Sequence, residues 1–257
     1  MDPIIIKACR APSTRMSQLT FACPWREVDS FIAMAHSSSC VVSGGCTADV
    51  RLLVLLGVNT VVISNFDTTL DHSGCINAFQ TAGIYILAYL ASDTVPVTIG
   101  WDGYGSWKDD VYTYYTAVVD AVAPFPNLLG FIVDTVAGIG PDPSVALGMS
   151  LPFVKAATRD IKTYVRSNNY RSFPAGVFAD NGTLGVLDGL WKMEYLRCGS
   201  LSNDDTIDFW FTVDDYTCFD DHFPPVLVIN QPVQELISAN SSFTNIPLLY
   251  DVACYDN

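Results

Sequence analysis

The sequence is poor in bases, in glutamate and in histidine. Its 257 residues include 13 Lys and Arg and three His, and only three of its 27 acidic residues are Glu. The formal charge of −14 at pH 7 repels phosphate backbones and anionic lipids, so neither nucleic acid nor a membrane surface is expected as a partner. No apolar run approaches the roughly 18 residues that a membrane-spanning helix needs.

The eight cysteines include no Cys-x-x-Cys pair, so the close ligand spacing of a zinc site is missing and no metal or other cofactor is predicted. An even number of cysteines in an acidic, lysine-poor chain indicates disulfides and an oxidising compartment. Two tripeptides, Asn181-Gly182-Thr183 and Asn240-Ser241-Ser242, are acceptor sequences for N-glycans. These features predict a secreted, extracellular glycoprotein, and Asp2-Pro3-Ile4 reads as a mature start preceded by an added Met1.

A dinucleotide fold has little support, because no Gly-x-Gly-x-x-Gly follows the first predicted strand. Short β-rich apolar runs alternate instead with amphipathic helical patterns, which indicates parallel βαβ units. The predicted strands are residues 19–23, 58–64, 84–90, 128–133, 173–178, 207–213 and 246–251. We therefore predict an α/β fold, a (β/α)8 TIM-type barrel that forms a single domain over residues 1–257.

The predicted strands are one fewer than the eight that close such a barrel. Residues 3–8 or 225–229 are candidates for the missing strand. Otherwise the last strand is incomplete and the barrel is open. An open barrel exposes a strand edge that a second copy of the chain could cover, giving a homo-oligomer.

Several segments of the chain form one set of motifs that covers nearly the whole chain, including a Tyr-Leu-Arg-Cys-Gly stretch that begins at Tyr195. The other segments are residues 57–62, 67–75, 118–120, 126–131, 153–160, 169–174 and 246–249. Together, and in this order, they resemble one family, the fungal β-1,3-glucanosyltransferases of glycoside hydrolase family 72. The resemblance implies a β/α barrel on the outer face of fungal cells that cuts β-1,3-glucan through a covalent intermediate and transfers it to another glucan chain.

The resemblance also implies two disulfides, Cys46–Cys75 and Cys218–Cys254. The family's partner of Cys198 lies beyond Asn257, so we expect the chain to lack the family's C-terminal part. Cys198 is then expected to pair with one of the cysteines at positions 9, 23 and 40.

The family's two catalytic Glu stand at the C-terminal ends of the fourth and seventh barrel strands, and neither is retained here. Asp134 falls on the Asn that precedes the acid/base, with Thr135 on the catalytic Glu itself, or, after a one-place slip, Asp134 falls on the Glu. Asp251 takes the position of the nucleophile. A retaining enzyme holds its carboxyls ~5–5.5 Å apart, and two shorter carboxylates move the pair towards the ~6.5–9.5 Å of an inverting hydrolase. An inverting site of Asp134 and Asp251 is one hypothesis; the other is that both are solvated acids at the ends of loops.

The residues around the family's site are replaced as well. Its Arg and Tyr after the Asn-Thr motif become Val62 and Ser64, and its sugar-binding Asn and Tyr become Val213 and Asp215. Losing the Arg removes the charge that keeps a nucleophilic carboxylate ionised and oriented. So many changes together predict a pseudoenzyme.

A groove could still bind glycan without cleaving it. Trp101, Tyr104 and Trp107 lie in a Gly-rich loop that flanks the glucan groove in the family, and exposed aromatics suit stacking on a pyranose ring. With Asp215 they form the candidate glycan-binding set, although the aromatics could equally pack as local core. The first hypothesis is therefore a non-catalytic binder of β-1,3-glucan or a related cell-wall glycan. The alternatives are an active, divergent glycoside hydrolase, and a structural, effector or defence protein that acts through a protein partner.

Overall fold

The computed structural model describes residues 7–9, 31–36, 46–55, 57–92, 94–97, 107–135, 143–180, 195–198, 206–214 and 248–252. Eight strands lie in these ranges: β1 (Lys7–Cys9), β2 (Phe31–His36), β3 (Thr60–Ser64), β4 (Tyr85–Tyr89), β5 (Leu128–Thr135), β6 (Ala175–Asp180), β7 (Phe209–Asp214) and β8 (Leu248–Val252). The helices described there are α1 (Cys46–Leu55), α2 (Ser73–Thr81), α3 (Asp109–Val122) and α4 (Pro143–Ser167).

The eight strands form one parallel sheet in chain order, from β1 to β8. Each strand pairs with the next, and β1 lies beside β8, so the sheet curls round into a barrel. Strand β1 therefore lies beside the strand whose edge an open barrel would expose. The homo-oligomer through an exposed edge stays a prediction.

Six of the seven predicted strands correspond to β3 through β8. Strand β1 overlaps the candidate for the missing strand at residues 3–8, whereas residues 19–23 and 225–229 lie outside the described residues. Strand β2 was not predicted, because Phe31–His36 holds two Ala, a Met and a His in place of the β-branched residues that mark strands.

The core explains why the predicted strands read as nearly unbroken apolar runs. All five residues of β3 are buried. Val61 and Ile63 belong to the core cluster that also contains Ile76 and Phe79 of α2. Val62, between them, is fully buried on the opposite face of the strand. A parallel strand that is covered on both faces needs apolar residues at every position.

Two of the predicted cysteine partners lie within described elements. Cys75 in α2 is buried and disulfide-bonded, and Cys46 begins α1, which packs against α2. The Cys46–Cys75 pairing stays a prediction, and Cys218 and Cys254 lie outside the described residues. Cys198, by contrast, is exposed with a free thiol. The expected disulfide from Cys198 to position 9, 23 or 40 is thus wrong for this structure.

Candidate functional site

Strand β5 carries the first candidate acid at its C-terminal end, the end where barrel enzymes place their chemistry. Leu128, Phe131, Ile132 and Val133 are buried by at least nine-tenths, as their apolar character predicts. The strand continues past Val133 through Asp134 to Thr135. Its pairing with β6 shifts register between Ile132 and Thr135, so Asp134 stands in an irregular stretch where a bulge can redirect a side chain.

The Asp134 side chain is completely buried, with 0% of its surface exposed. Its Oδ2 accepts a hydrogen bond from the backbone N–H of Val97 at 2.5 Å. The same oxygen accepts a bond from the hydroxyl of Tyr115 on α3 at 3.3 Å. The interpretation of Asp134 as a solvated acid at a loop end is therefore wrong. The carboxylate is a buried acceptor that joins β5 to the β4–α3 connection and to α3.

Tyr115 is held as a hydrogen-bond donor by its surroundings. Burial raises the pKa of Tyr115 well above its ordinary value, and the negative charge of Asp134 raises that pKa further. A phenol in this setting stays protonated at physiological pH. Its hydroxyl can therefore keep donating to the Asp134 carboxylate, and the carboxylate is occupied on the side that faces Tyr115.

The second candidate acid, Asp251, lies in β8, where it is the register partner of Val213 in β7. Counted along the chain, Asp134 lies in the fifth strand and Asp251 in the eighth. The resemblance implied a fourth and a seventh strand for the corresponding residues, so the strand numbers differ by one. The inverting site formed by the two carboxyls stays a prediction.

The remaining predicted site residues divide into three groups. Val62 and Ser64 are both buried in β3, so the positions of the family's Arg and Tyr carry a valine and a hydroxyl within the barrel wall. Trp101, Tyr104 and Asp215 lie outside the described residues. Trp107 is the member of the candidate glycan-binding set that lies within the described residues.

Trp107 is half-buried just before α3 and packs against the core. Its indole Nε1 donates to Oδ2 of Asp160 on α4 at 2.8 Å. Its ring makes edge-on contacts with Tyr112 and Tyr115 of α3, with centroids 5.9 and 5.3 Å apart. Trp107 is thus anchored between α3 and α4, as the interpretation of local packing expected. Its role in glycan binding stays a prediction.

Sequence reasoning did not identify Tyr115 and Val97 as partners of Asp134, or Asp160 as the partner of Trp107. One signal was available, because Tyr112, Tyr114 and Tyr115 crowd a single turn of a predicted helix. Tyrosines in such a number usually need polar partners for their hydroxyls. Which acids would supply them depends on contacts between segments that are far apart in the chain.

Within the described ranges, no group of three or more His, Cys, Asp and Glu side chains is arranged to hold a metal ion. None of the described helices is long and apolar enough to cross a membrane.

The eight parallel strands in chain order and the helices between them define the class of fold, an α/β barrel. A family model described as glucanosyltransferase, glycoside hydrolase family 72, matches residues 33–224. The chain therefore belongs to the glucanosyltransferase family, and the predicted membership is confirmed.

The similar curated proteins are fungal and much longer than this chain. It is 36% identical over 165 residues to 1,3-beta-glucanosyltransferase gas1 of Schizosaccharomyces pombe, which covers 64% of this chain and 28% of that protein. It is 36% identical over 178 residues to 1,3-beta-glucanosyltransferase gel1 of Aspergillus fumigatus, covering 68% of this chain and 36% of that protein. The matched region thus spans about a third of the length of these relatives.

Solved structures of Saccharomyces cerevisiae Gas2 have the same fold. Gas2p in complex with laminaripentaose is 25% identical with a TM-score of 0.61, over 80% of this chain and 42% of that chain. Another Gas2 complex reaches a TM-score of 0.65 at 20% identity, over 87% of this chain and 55% of that chain. These likenesses confirm the barrel fold that the sequence predicted.

Proposed function

We propose that the protein is a secreted, non-catalytic glucanosyltransferase-like protein that binds β-1,3-glucan or a related cell-wall glycan. The observation that carries the proposal is the environment of Asp134. If Thr135 matches the catalytic Glu, the position has no carboxyl at all. If Asp134 matches it, the carboxyl is fully buried and bonded to Val97 and Tyr115. Either alignment leaves the strand end without an acid that is free to protonate a leaving oxygen.

The replaced surroundings support the same proposal. A nucleophilic carboxylate needs a positive charge or hydrogen bonds to stay ionised and aimed. Where the family carries an Arg in the strand that matches β3, this chain has Val62, which is fully buried. A valine side chain has no hydrogen-bonding group, so it neither orients Asp251 nor contacts a sugar hydroxyl.

Binding is the part of the family's activity that we propose is kept. The related Gas2p has been solved with laminaripentaose and with laminaritriose and laminaritetraose. Trp101 and Tyr104 are the proposed stacking residues on the β4–α3 connection, with Asp215 as a polar contact. Asp134 holds this connection at one point, because its carboxylate accepts a hydrogen bond from the N–H of Val97, four residues before Trp101.

We also propose a location outside the cell, associated with the cell wall. The disulfide bond of Cys75 and the two N-glycan acceptor sequences support it. Cys46–Cys75 and Cys218–Cys254 are the proposed disulfides, and Asn181 and Asn240 the proposed glycan attachment positions.

Calorimetric titration of the purified protein with reduced laminari-oligosaccharides tests the binding. Analysis of the same mixture by mass spectrometry tests for chemistry. We expect saturable heat and no new chain lengths, with Asp251→Asn behaving as the unchanged protein. New chain lengths that disappear in Asp251→Asn would establish the alternative, an active divergent hydrolase. Absence of heat at millimolar sugar would remove the glycan proposal in favour of a protein partner.

A further inference from the structure

A pocket of about 370 Å³ opens where the start of α3 meets the middle of α4. It is lined by Trp107, Lys108, Asp109, Tyr112, Asp160 and Thr163. Its lining includes Trp107 of the candidate glycan-binding set, whereas Asp134 is not part of the lining. Its volume lies at the small end of the ~300–1,000 Å³ that is typical of ligand sites, enough for one or two sugar rings.

The aromatic wall of the pocket is fixed before any ligand binds. Trp107 is anchored by its bond to Asp160, and Asp160 is itself paired with Arg159 at 2.7 Å. Burial alone would raise the pKa of Asp160, but hydrogen bonds from Arg159 and Trp107 outweigh it and lower the pKa, so Asp160 is ionised at neutral pH. Tyr112 is held edge-on against both Trp107 and Tyr164. A rigid aromatic pair loses little entropy when a ligand stacks on it.

Three polar groups at the pocket take no part in anchoring the aromatic side chains. The side chains of Lys108 and Asp109 are exposed, and the Tyr112 side chain is more than a third exposed. Among the described residues, the Lys108 amine, the Asp109 carboxylate and the Tyr112 hydroxyl take part in no hydrogen bond or ion pair. They offer a cation, an anion and a hydroxyl within one small space, a set of donors and acceptors suited to a ligand that carries several hydroxyls.

Charge argues for a neutral ligand. The pocket carries one base and two acids, on a protein whose formal charge is −14. An anionic ligand would be repelled by that balance. A cationic ligand would be repelled by the amine of Lys108. Of the two acids in the lining, Asp160 is already paired with Arg159. A neutral pyranose presents C–H groups to aromatic faces and hydroxyls to mixed polar groups, which matches both parts of the lining.

We propose that this pocket between α3 and α4 is a second glycan-binding site, which takes one or two units of a neutral glycan on the helical face of the barrel. The inference rests on the proposed function, because the glycan is taken to be the same β-1,3-glucan. A long glucan could then contact the strand-end groove and the helical pocket of one molecule, and two weak contacts would hold it more firmly than one.

The test records the indole N–H resonances of the ¹⁵N-labelled protein while laminaripentaose is added. The Trp107 signal is assigned with Trp107→Phe. The titration is repeated with Tyr112→Ala and with Tyr85→Ala, which removes an exposed tyrosine of β4 away from the pocket. Thermal unfolding of each variant checks that its fold is kept.

We expect a saturable shift of the Trp107 signal in the unchanged protein and in Tyr85→Ala. In Tyr112→Ala we expect at least about fivefold weaker apparent affinity at this signal, the loss of one aromatic contact. A Trp107 signal that stays still while other signals move would overturn the second site and leave the proposed function standing. If no signal moves at millimolar sugar, both fail. An equal shift with a sulfated oligosaccharide would contradict the selection for a neutral ligand.

Discussion

The Asp134 carboxylate at the end of β5 accepts a hydrogen bond from the backbone N–H of Val97, 37 residues earlier in the chain, over 2.5 Å. The Tyr115 hydroxyl donates to the same oxygen at 3.3 Å. The carboxylate at this strand end thus joins a strand, a loop and a helix. Because it is buried, we expect it to contribute to the stability of the fold.

Removing this acceptor should destabilise the fold. Asp134→Ala leaves the Val97 N–H and the Tyr115 hydroxyl without their partner in a buried place. We expect the free energy of unfolding to fall by about 1–3 kcal/mol. Asp134→Asn keeps one oxygen as an acceptor and should cost less. Urea unfolding measures both variants, and an Asp134→Ala protein as stable as the parent would contradict the role assigned to the carboxylate.

The stability should also depend on alkaline pH through Tyr115. Its pKa is raised well above the ordinary value, chiefly by burial and then by the charge of Asp134. In the unfolded chain Tyr115 ionises near pH ~10, whereas in the folded protein it stays protonated. The contribution of protonated Tyr115 to the free energy of unfolding is therefore fully present below pH ~10. It is lost as the pH rises through the pKa that Tyr115 has in the folded protein.

Unfolding measured at a series of pH values checks this dependence. Tyr115→Phe should show a smaller loss of stability above pH ~10 than the parent protein. Tyr85→Phe, in an exposed position, should lose stability with pH as the parent does. Equal pH slopes in Tyr115→Phe and the parent would count against a protonated, buried Tyr115.

The strands that the sequence predicts correctly are those whose own residues form an apolar run. Strand β3 is Thr-Val-Val-Ile-Ser and is buried throughout, so its apolar run identifies it without knowledge of its neighbours. Strand β2 lacks such a run and is held in place by its ladder with β1 and β3. Pairing between distant segments is the information that a local pattern does not contain.

The candidate site shows the same limit. Alignment with the family located Asp134 at a strand end, and the structure places it there. Its burial was missed because it depends on Val97 and Tyr115, which reach it from another loop and another helix. The position of Trp107 likewise depends on Asp160, 53 residues further along the chain.

Gly176 in β6 is expected to tolerate no side chain. A Cβ at this position would overlap with the ring of Phe209 in β7, and Phe209 is itself buried. We expect Gly176→Ala to cost about 1–3 kcal/mol through overpacking. The matched control is Gly74→Ala in α2, where nothing lies within 4 Å of an added Cβ. There the replacement should be neutral or stabilise the helix by up to about 1 kcal/mol, and thermal unfolding compares the two.

The two described kinds of cysteine should differ in reactivity. Cys198 is exposed with a free thiol, whereas Cys75 is buried in a disulfide. Alkylation of the native protein without reductant should label Cys198 and leave Cys75 unlabelled until the protein is reduced and unfolded. Peptide mapping by mass spectrometry reads out both positions. An unlabelled Cys198 in the native protein would point back to a disulfide at that residue.

We propose that the protein keeps the fold of the family and has lost the family's chemistry. The most direct test is a long incubation of the protein with a single reduced laminari-oligosaccharide, sampled by mass spectrometry beside an active family member. We expect the starting sugar alone in every sample of this protein, while the active enzyme produces longer and shorter chains. Products from this protein that vanish in Asp251→Asn would contradict it and restore Asp251 as a catalytic residue.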